Sequence, residues 1–194
     1  ISSSFACSGL TMIRSSRPAW MAKLLSTPVK LLAISSSFSS ASISSATRQS
    51  LHLPLDKQIV LLFSGSIGCG RLHRVAPKLV SKLPENAHLV IICGHNKRVY
   101  EQLRDRCGPQ TTILGFTDRI AEYMAVADLC ISKPGGLSIT EMLNLRLPMV
   151  LVLTVPGCES HNMAFFAKHN MAIATLNWDE ALSQTAELLS DPSR

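Results

Sequence analysis

From Gln58 onward, short, mainly apolar runs alternate with longer segments in which apolar residues recur at helical spacing. Gln58–Phe63, Ala87–Cys93, Thr111–Leu114, Asp128–Ser132, Met149–Leu153 and Met171–Thr175 are the apolar runs, and their β-branched content predicts buried strands. Arg71–Leu83, Asn96–Arg106, Asp118–Val126 and residues 137–146, 159–169 and 178–190 read as the intervening helices. Pro77 predicts a kink or a late start in the first of them. Asn96 is placed to cap the second, and Thr117 or Asp118 the third. Strands alternating with helices of about ten residues require right-handed crossovers on a parallel sheet. The fold predicted for 51–194 is therefore α/β, a Rossmann-like doubly wound sheet with ligands at the carboxyl ends of its strands.

Residues 1–50 follow a different pattern. They hold sixteen serines, five basic residues (Arg14, Arg17, Lys23, Lys30, Arg48) and no acidic one, and Ser35–Ser45 is almost of low complexity. Few apolar residues recur there at a fixed period, which predicts irregular structure, either an interdomain linker or a segment of plastid or mitochondrial transit-peptide composition. The chain opens on Ile1 rather than Met, which suggests a fragment. The other 144 residues carry fourteen basic and thirteen acidic residues, so most of the net charge of +6 sits in the head. A nearly neutral body argues against nucleic acid as a partner, because phosphate backbones want a basic face on the folded domain. The basic head fits either a solvated linker or proximity to anionic lipid. Six cysteines lack C-x-x-C or zinc-like spacing, so they read as free thiols of a reducing compartment rather than as disulfides or a metal site. No apolar run approaches the ~20 residues of a spanning helix.

Two glycine-rich turns carry the candidate chemistry. Ser64-Gly65-Ser66-Ile67-Gly68-Cys69-Gly70 follows the first strand and precedes a helix. Its glycines suit either a tight turn or the approach of backbone N–H groups to phosphate, with Ser66 as a hydroxyl donor. It is neither G-x-G-x-x-G nor a Walker sequence, which argues against hydride cofactors and P-loop chemistry. Lys133-Pro134-Gly135-Gly136-Leu137-Ser138 lies between the fourth strand and its helix, where bare amides and a positive helix end favour an anion. Glu141 follows one to two turns in, as a carboxylate able to accept from a diol such as a ribose. Pro156-Gly-Cys-Glu-Ser-His-Asn162 closes the unit with polar side chains. Together these features predict a site for a nucleoside diphosphate carrying a sugar.

The joined pattern S-K-P-G-G-L-[ST]-x-x-E … L-P-x(7)-P-G-x-E-x-x-N, within Ser132–Asn162, resembles the donor-binding C-terminal half of family 28 GT-B glycosyltransferases. These include monogalactosyldiacylglycerol synthase, the processive diacylglycerol glucosyltransferases and, more distantly, MurG. The resemblance covers roughly residues 51–190 and implies transfer of galactose or glucose from a UDP-sugar to a lipid such as diacylglycerol. It implies that Ser66, Gly135, Gly136, Leu137 and Ser138 hold the diphosphate, and that Glu141 holds the ribose. Phe116 and Thr117 would receive uracil, although Phe116 equally suits a core position. Cys158, Glu159 and Asn162 would meet the sugar, with Cys158 standing where the family usually has Gln and His161 as a further candidate there. It further implies no cofactor and no metal, an inverting mechanism, a cytoplasmic protein peripheral to a membrane or, alternatively, at the plastid envelope, and a general base in an N-terminal domain or partner chain. No Gly-rich, His-containing loop of the kind that carries that base occurs before residue 58. A donor-binding subunit of a split transferase and a UDP-sugar epimerase are the competing readings.

Overall fold

The computed structural model describes residues 40–68, 71–152 and 157–190. Six strands, β1 (Gln58–Phe63), β2 (Ala87–Ile92), β3 (Thr111–Leu114), β4 (Leu129–Ser132), β5 (Met149–Val152) and β6 (Ile173–Thr175), form one sheet in the order β3-β2-β1-β4-β5-β6. Every neighbouring pair is parallel. Seven helices are described: α1 (Ser40–Ser50), α2 (Leu72–Val80), α3 (Lys97–Arg104), α4 (Ile120–Val126), α5 (Gly136–Asn144), α6 (Cys158–Lys168) and α7 (Trp178–Ser190).

Alternation along the strands divides the apolar side chains between two cores. Val60, Leu62, Leu89, Ile91 and Ile131 pack with α2, α3 and α7 on one face. Ile59, Leu61, Phe63, Val90 and Cys130 pack with α4, α5 and α6 on the other. Strands apolar on both sides need helices on both sides, and this is why the predicted runs show no polar alternation.

β1, β3 and α7 have the predicted bounds, and three of the departures elsewhere have visible local causes. Asp128 stays outside β4 because its carboxylate is used at the start of β1, where Oδ2 accepts from the Ile59 N–H at 2.8 Å. β6 begins at Ile173 rather than Met171, since the Met171 N–H closes the end of α6 on the Phe166 carbonyl at 2.9 Å. Pro77 neither ends α2 nor delays it; Leu72, Val75, Ala76 and Leu79 bury one continuous face around it. α4 starts at Ile120, two residues later than predicted, with Thr117 Oγ1 accepting the Arg119 N–H just before it.

The head of the chain requires a correction. Residues 40–50, assigned by composition to irregular structure, form α1, while residues 1–39 lie outside the described residues. Arg48 anchors this helix. Its guanidinium donates to the Lys57 carbonyl at 2.9 Å, the Val126 carbonyl at 3.0 Å and Asp128 Oδ2 at 2.9 Å. Leu51 and Leu53 then enter the second core. A single arginine inside a serine-rich segment gives no periodic signal, so composition alone misassigned it.

Arg48→Met should remove three of these bonds and destabilise the domain by about 1–3 kcal/mol, with faster amide exchange in α1, as read by denaturant unfolding and hydrogen exchange. His88, buried in β2 with Nε2 2.8 Å from Thr112 Oγ1, has its pKa lowered from 6.5, first by burial and then by Lys57. A lowered folded-state pKa contributes stability above the unfolded value that is lost as pH falls below it. The unfolding free energy of wild type should therefore drop more than that of His88→Leu between about pH 7.5 and 5.

Candidate functional site

β1 and β4 are adjacent, yet the helices that follow them lie on opposite faces, α2 on one and α5 on the other. The chain therefore parts between their carboxyl ends and leaves a crevice, where ligands bind in open sheets of this kind. The two glycine turns flank it. A Cβ built on Gly65 would stand 3.1 Å from Lys133 Cε, which shows how closely the turns approach.

The first turn is locked to the end of β2. Gly65, Gly68 and Gly94 have φ of 69°, 61° and 57°. A Cβ on Gly68 would lie 1.9 Å from the Cys93 carbonyl oxygen, and one on Gly94 2.1 Å from that of Ser66. The His95 N–H donates to the Ser66 carbonyl at 2.8 Å. Asn96 caps α3 by accepting from the Val99 N–H at 3.1 Å, while its Nδ2 donates to the Gly68 carbonyl at 3.1 Å. Gly68 and Gly94 are thus demanded by backbone packing, the tight-turn reading, and that packing sets Ser66 and Ile67 at an exposed tip. Cys93 lies beneath, its thiol pushed up to about 11 by burial and by Cys107, which makes it inert. Cys69 and Gly70 lie outside the described residues.

The second turn differs. Gly135 caps α5 in an extended conformation with no side-chain hydrogen bond, and neither Gly135 nor Gly136 has positive φ. A Cβ on Gly136 would meet nothing within 4 Å, and one on Gly135 only Lys133 Cε at 3.9 Å. The fold does not require these two glycines; Gly135 spends its own N–H on the Lys133 carbonyl at 2.8 Å, and the bareness leaves the first amides of α5, from Gly136 on, open to an anion. Leu137 is 84% exposed at the tip, Ser138 is half-buried, and Glu141 is exposed on the helix.

α6 completes the crevice wall. Gly157 (φ 113°) precedes it, and Cys158, its first residue, is an exposed free thiol. His161 Nδ1 lies 3.2 Å from the Gly157 carbonyl, so this histidine helps hold the turn. Asn162 Nδ2 donates to the Pro134 carbonyl at 2.9 Å and ties α6 to the second turn. Glu159 Oε1 accepts from Lys133 Nζ at 2.5 Å, while Glu159 Oε2 is buried with no hydrogen-bond partner among the described residues. Leu153–Pro156 lie outside the described residues.

On the far side of the first turn, Phe116 is 57% exposed, which removes the core alternative for it. It stacks on His95 with centroids 4.2 Å apart and planes 13° from parallel, giving a flat aromatic surface. Thr117 spends its hydroxyl on the Arg119 N–H. Sequence reasoning assigned no role to Lys133 or His95. Each lies just past a strand within two residues of a turn glycine, but only the folded crevice shows what it touches.

A model of the glycosyltransferase family 28 C-terminal domain matches residues 59–190, which include both glycine turns and α6. The chain belongs to this family. The processive diacylglycerol β-glucosyltransferase of Bacillus licheniformis is 33% identical over 147 residues, covering 74% of this chain and 38% of that protein. That of Staphylococcus saprophyticus is 30% identical over 146 residues, covering 74% and 37%. The chain thus spans little more than a third of the length of these curated relatives. Among solved structures, the kitacinnamycin glycotransferase superposes with a TM-score of 0.58 at 21% identity over 71% of this chain and 36% of that one. MurG of Acinetobacter baumannii gives 0.54 at 21% over 71% and 46%. The fold is accordingly one half of the GT-B glycosyltransferase architecture. Among the described residues no helix is long and apolar enough to cross a membrane, and no three His, Cys, Asp or Glu side chains gather as metal ligands.

The two turns of this family 28 domain should respond differently to an added methyl. Gly94→Ala, strained in φ and colliding with backbone, should cost more than about 2 kcal/mol of stability, whereas Gly136→Ala should leave the melting temperature nearly unchanged. Thermal unfolding of the two variants checks this.

Proposed function

We propose that this chain is the donor-binding half of an inverting hexosyltransferase that moves galactose or glucose from a UDP-sugar to the hydroxyl of a lipid such as diacylglycerol. One observation carries the reading: two glycine turns meet at the carboxyl ends of neighbouring strands, and in the second of them the first amides of α5 are left uncapped where nothing in the fold needs glycine. A pyrophosphate suits that position, since helix ends and backbone N–H groups supply positive potential there. Glu141, exposed one turn into α5, accepts from the ribose hydroxyls, and the His95–Phe116 surface flanks the uracil. The relatives' name supplies the acceptor class.

In the reaction, the acceptor oxygen attacks the anomeric carbon from the face opposite the diphosphate, the bond from anomeric carbon to phosphate oxygen breaks, and UDP departs with its electron pair. The chain contributes preorganised donors for the charge that develops on that leaving group. These donors take the place of a metal ion. The acceptor's proton goes to a base that this reading assigns to none of the described residues. With a lipid acceptor, the protein works at a membrane surface.

Calorimetry should detect UDP binding to the folded chain in the presence of EDTA. Gly136→Val combined with Glu141→Ala should weaken that binding at least about tenfold without lowering the melting temperature by more than a few degrees. Unchanged affinity in the double variant overturns the reading.

A further inference from the structure

Lys133 occupies a position that the donor-binding reading leaves unused. Its ammonium is paired with Glu159, and both side chains are largely withdrawn from water, at 22% and 14% exposure. Its Nζ lies 3.9 Å, and its Cε 3.1 Å, from where a Cβ on Gly65 would stand, and the same Cε lies 3.9 Å from that position on Gly135. The amine end therefore sits between the two turns. An ammonium carries three donors on a flexible stem, and one of them is taken by Glu159 Oε1.

The other half of the pair is left incomplete. Among the described residues Glu159 Oε2 is buried without a donor, so the carboxylate is only half satisfied there. A pair serving only to brace the fold would be expected to satisfy both oxygens. Glu159 also places a negative charge beside a crevice suited to a diphosphate, and Lys133 is what offsets it.

We propose that Lys133 moves its ammonium from Glu159 to the donor's diphosphate, so that nucleotide capture itself releases Glu159 to the sugar. The proposal rests on the donor-binding reading above. Glu159 and the phosphates compete for one cation, and the sugar hydroxyls take the carboxylate that the cation leaves. Asn162, held on the Pro134 carbonyl, keeps α6 in place while this happens.

Titrating UDP, UDP-glucose and UDP-galactose into wild type, K133M, K133R and E159Q separates this from a bracing role. K133M should weaken UDP about tenfold or more, and K133R should recover most of the loss. E159Q should tighten UDP about threefold, because its competitor for Lys133 is gone, and should erase the added affinity of the UDP-sugar over UDP. Weaker UDP binding by E159Q, in parallel with K133M, or full UDP affinity in K133M overturns the proposal. Should K133M fail to fold, E159Q decides alone: tighter UDP binding supports the exchange and weaker binding overturns it. A wild-type protein that binds no UDP removes the donor-binding reading, and this proposal with it.

Discussion

Strands that are apolar on both sides must be covered on both sides, and in this chain that requirement creates the site. The order β3-β2-β1-β4-β5-β6 sends α2 to one face and α5 to the other from adjacent strands. A crossover to one face cannot close the gap left by a crossover to the opposite face, so the crevice is a consequence of burying the sheet. The polar chemistry of the domain is arranged around this gap.

The two turns bordering the crevice carry glycine for different physical reasons. At Gly68 and Gly94 a side chain would enter neighbouring backbone, so glycine holds the first turn and the end of β2 together. At Gly136 no atom stands in the way, and glycine serves only to leave the surface bare. The first kind supports the fold; the second leaves amides facing outward with their partial positive charge. The Lys133–Glu159 pair between the turns adds a charge arrangement that is neutral as a unit and, among the described residues, incomplete at one oxygen.

Much of this was legible in the residues. Strand positions came from runs such as Ile59–Phe63, because burial on both faces removes polar alternation. The two glycine turns were legible because glycines clustered just past a buried strand mark either a tight turn or a backbone left open to a ligand. The role of Arg48 was not, since its partners lie nine residues away at Lys57 and about eighty away at Val126 and Asp128. Thr117 and Asp128 looked like ordinary cap and strand residues, but each spends its side chain on a neighbouring backbone N–H. The stacking of His95 on Phe116 likewise joins the ends of two strands that sequence spacing cannot place side by side.

The sequence by itself determined the α/β alternation, the parallel sheet, the position of the bare amides at the start of α5, and the family. These depend on periodicity and local turn chemistry, which act over a few residues. Only the tertiary structure decided which glycines are structural, that Phe116 faces outward, and that Lys133 stands between two turns with Glu159 as its partner. Those facts depend on distances between segments far apart in the chain, and such distances exist only once both faces of the sheet are covered.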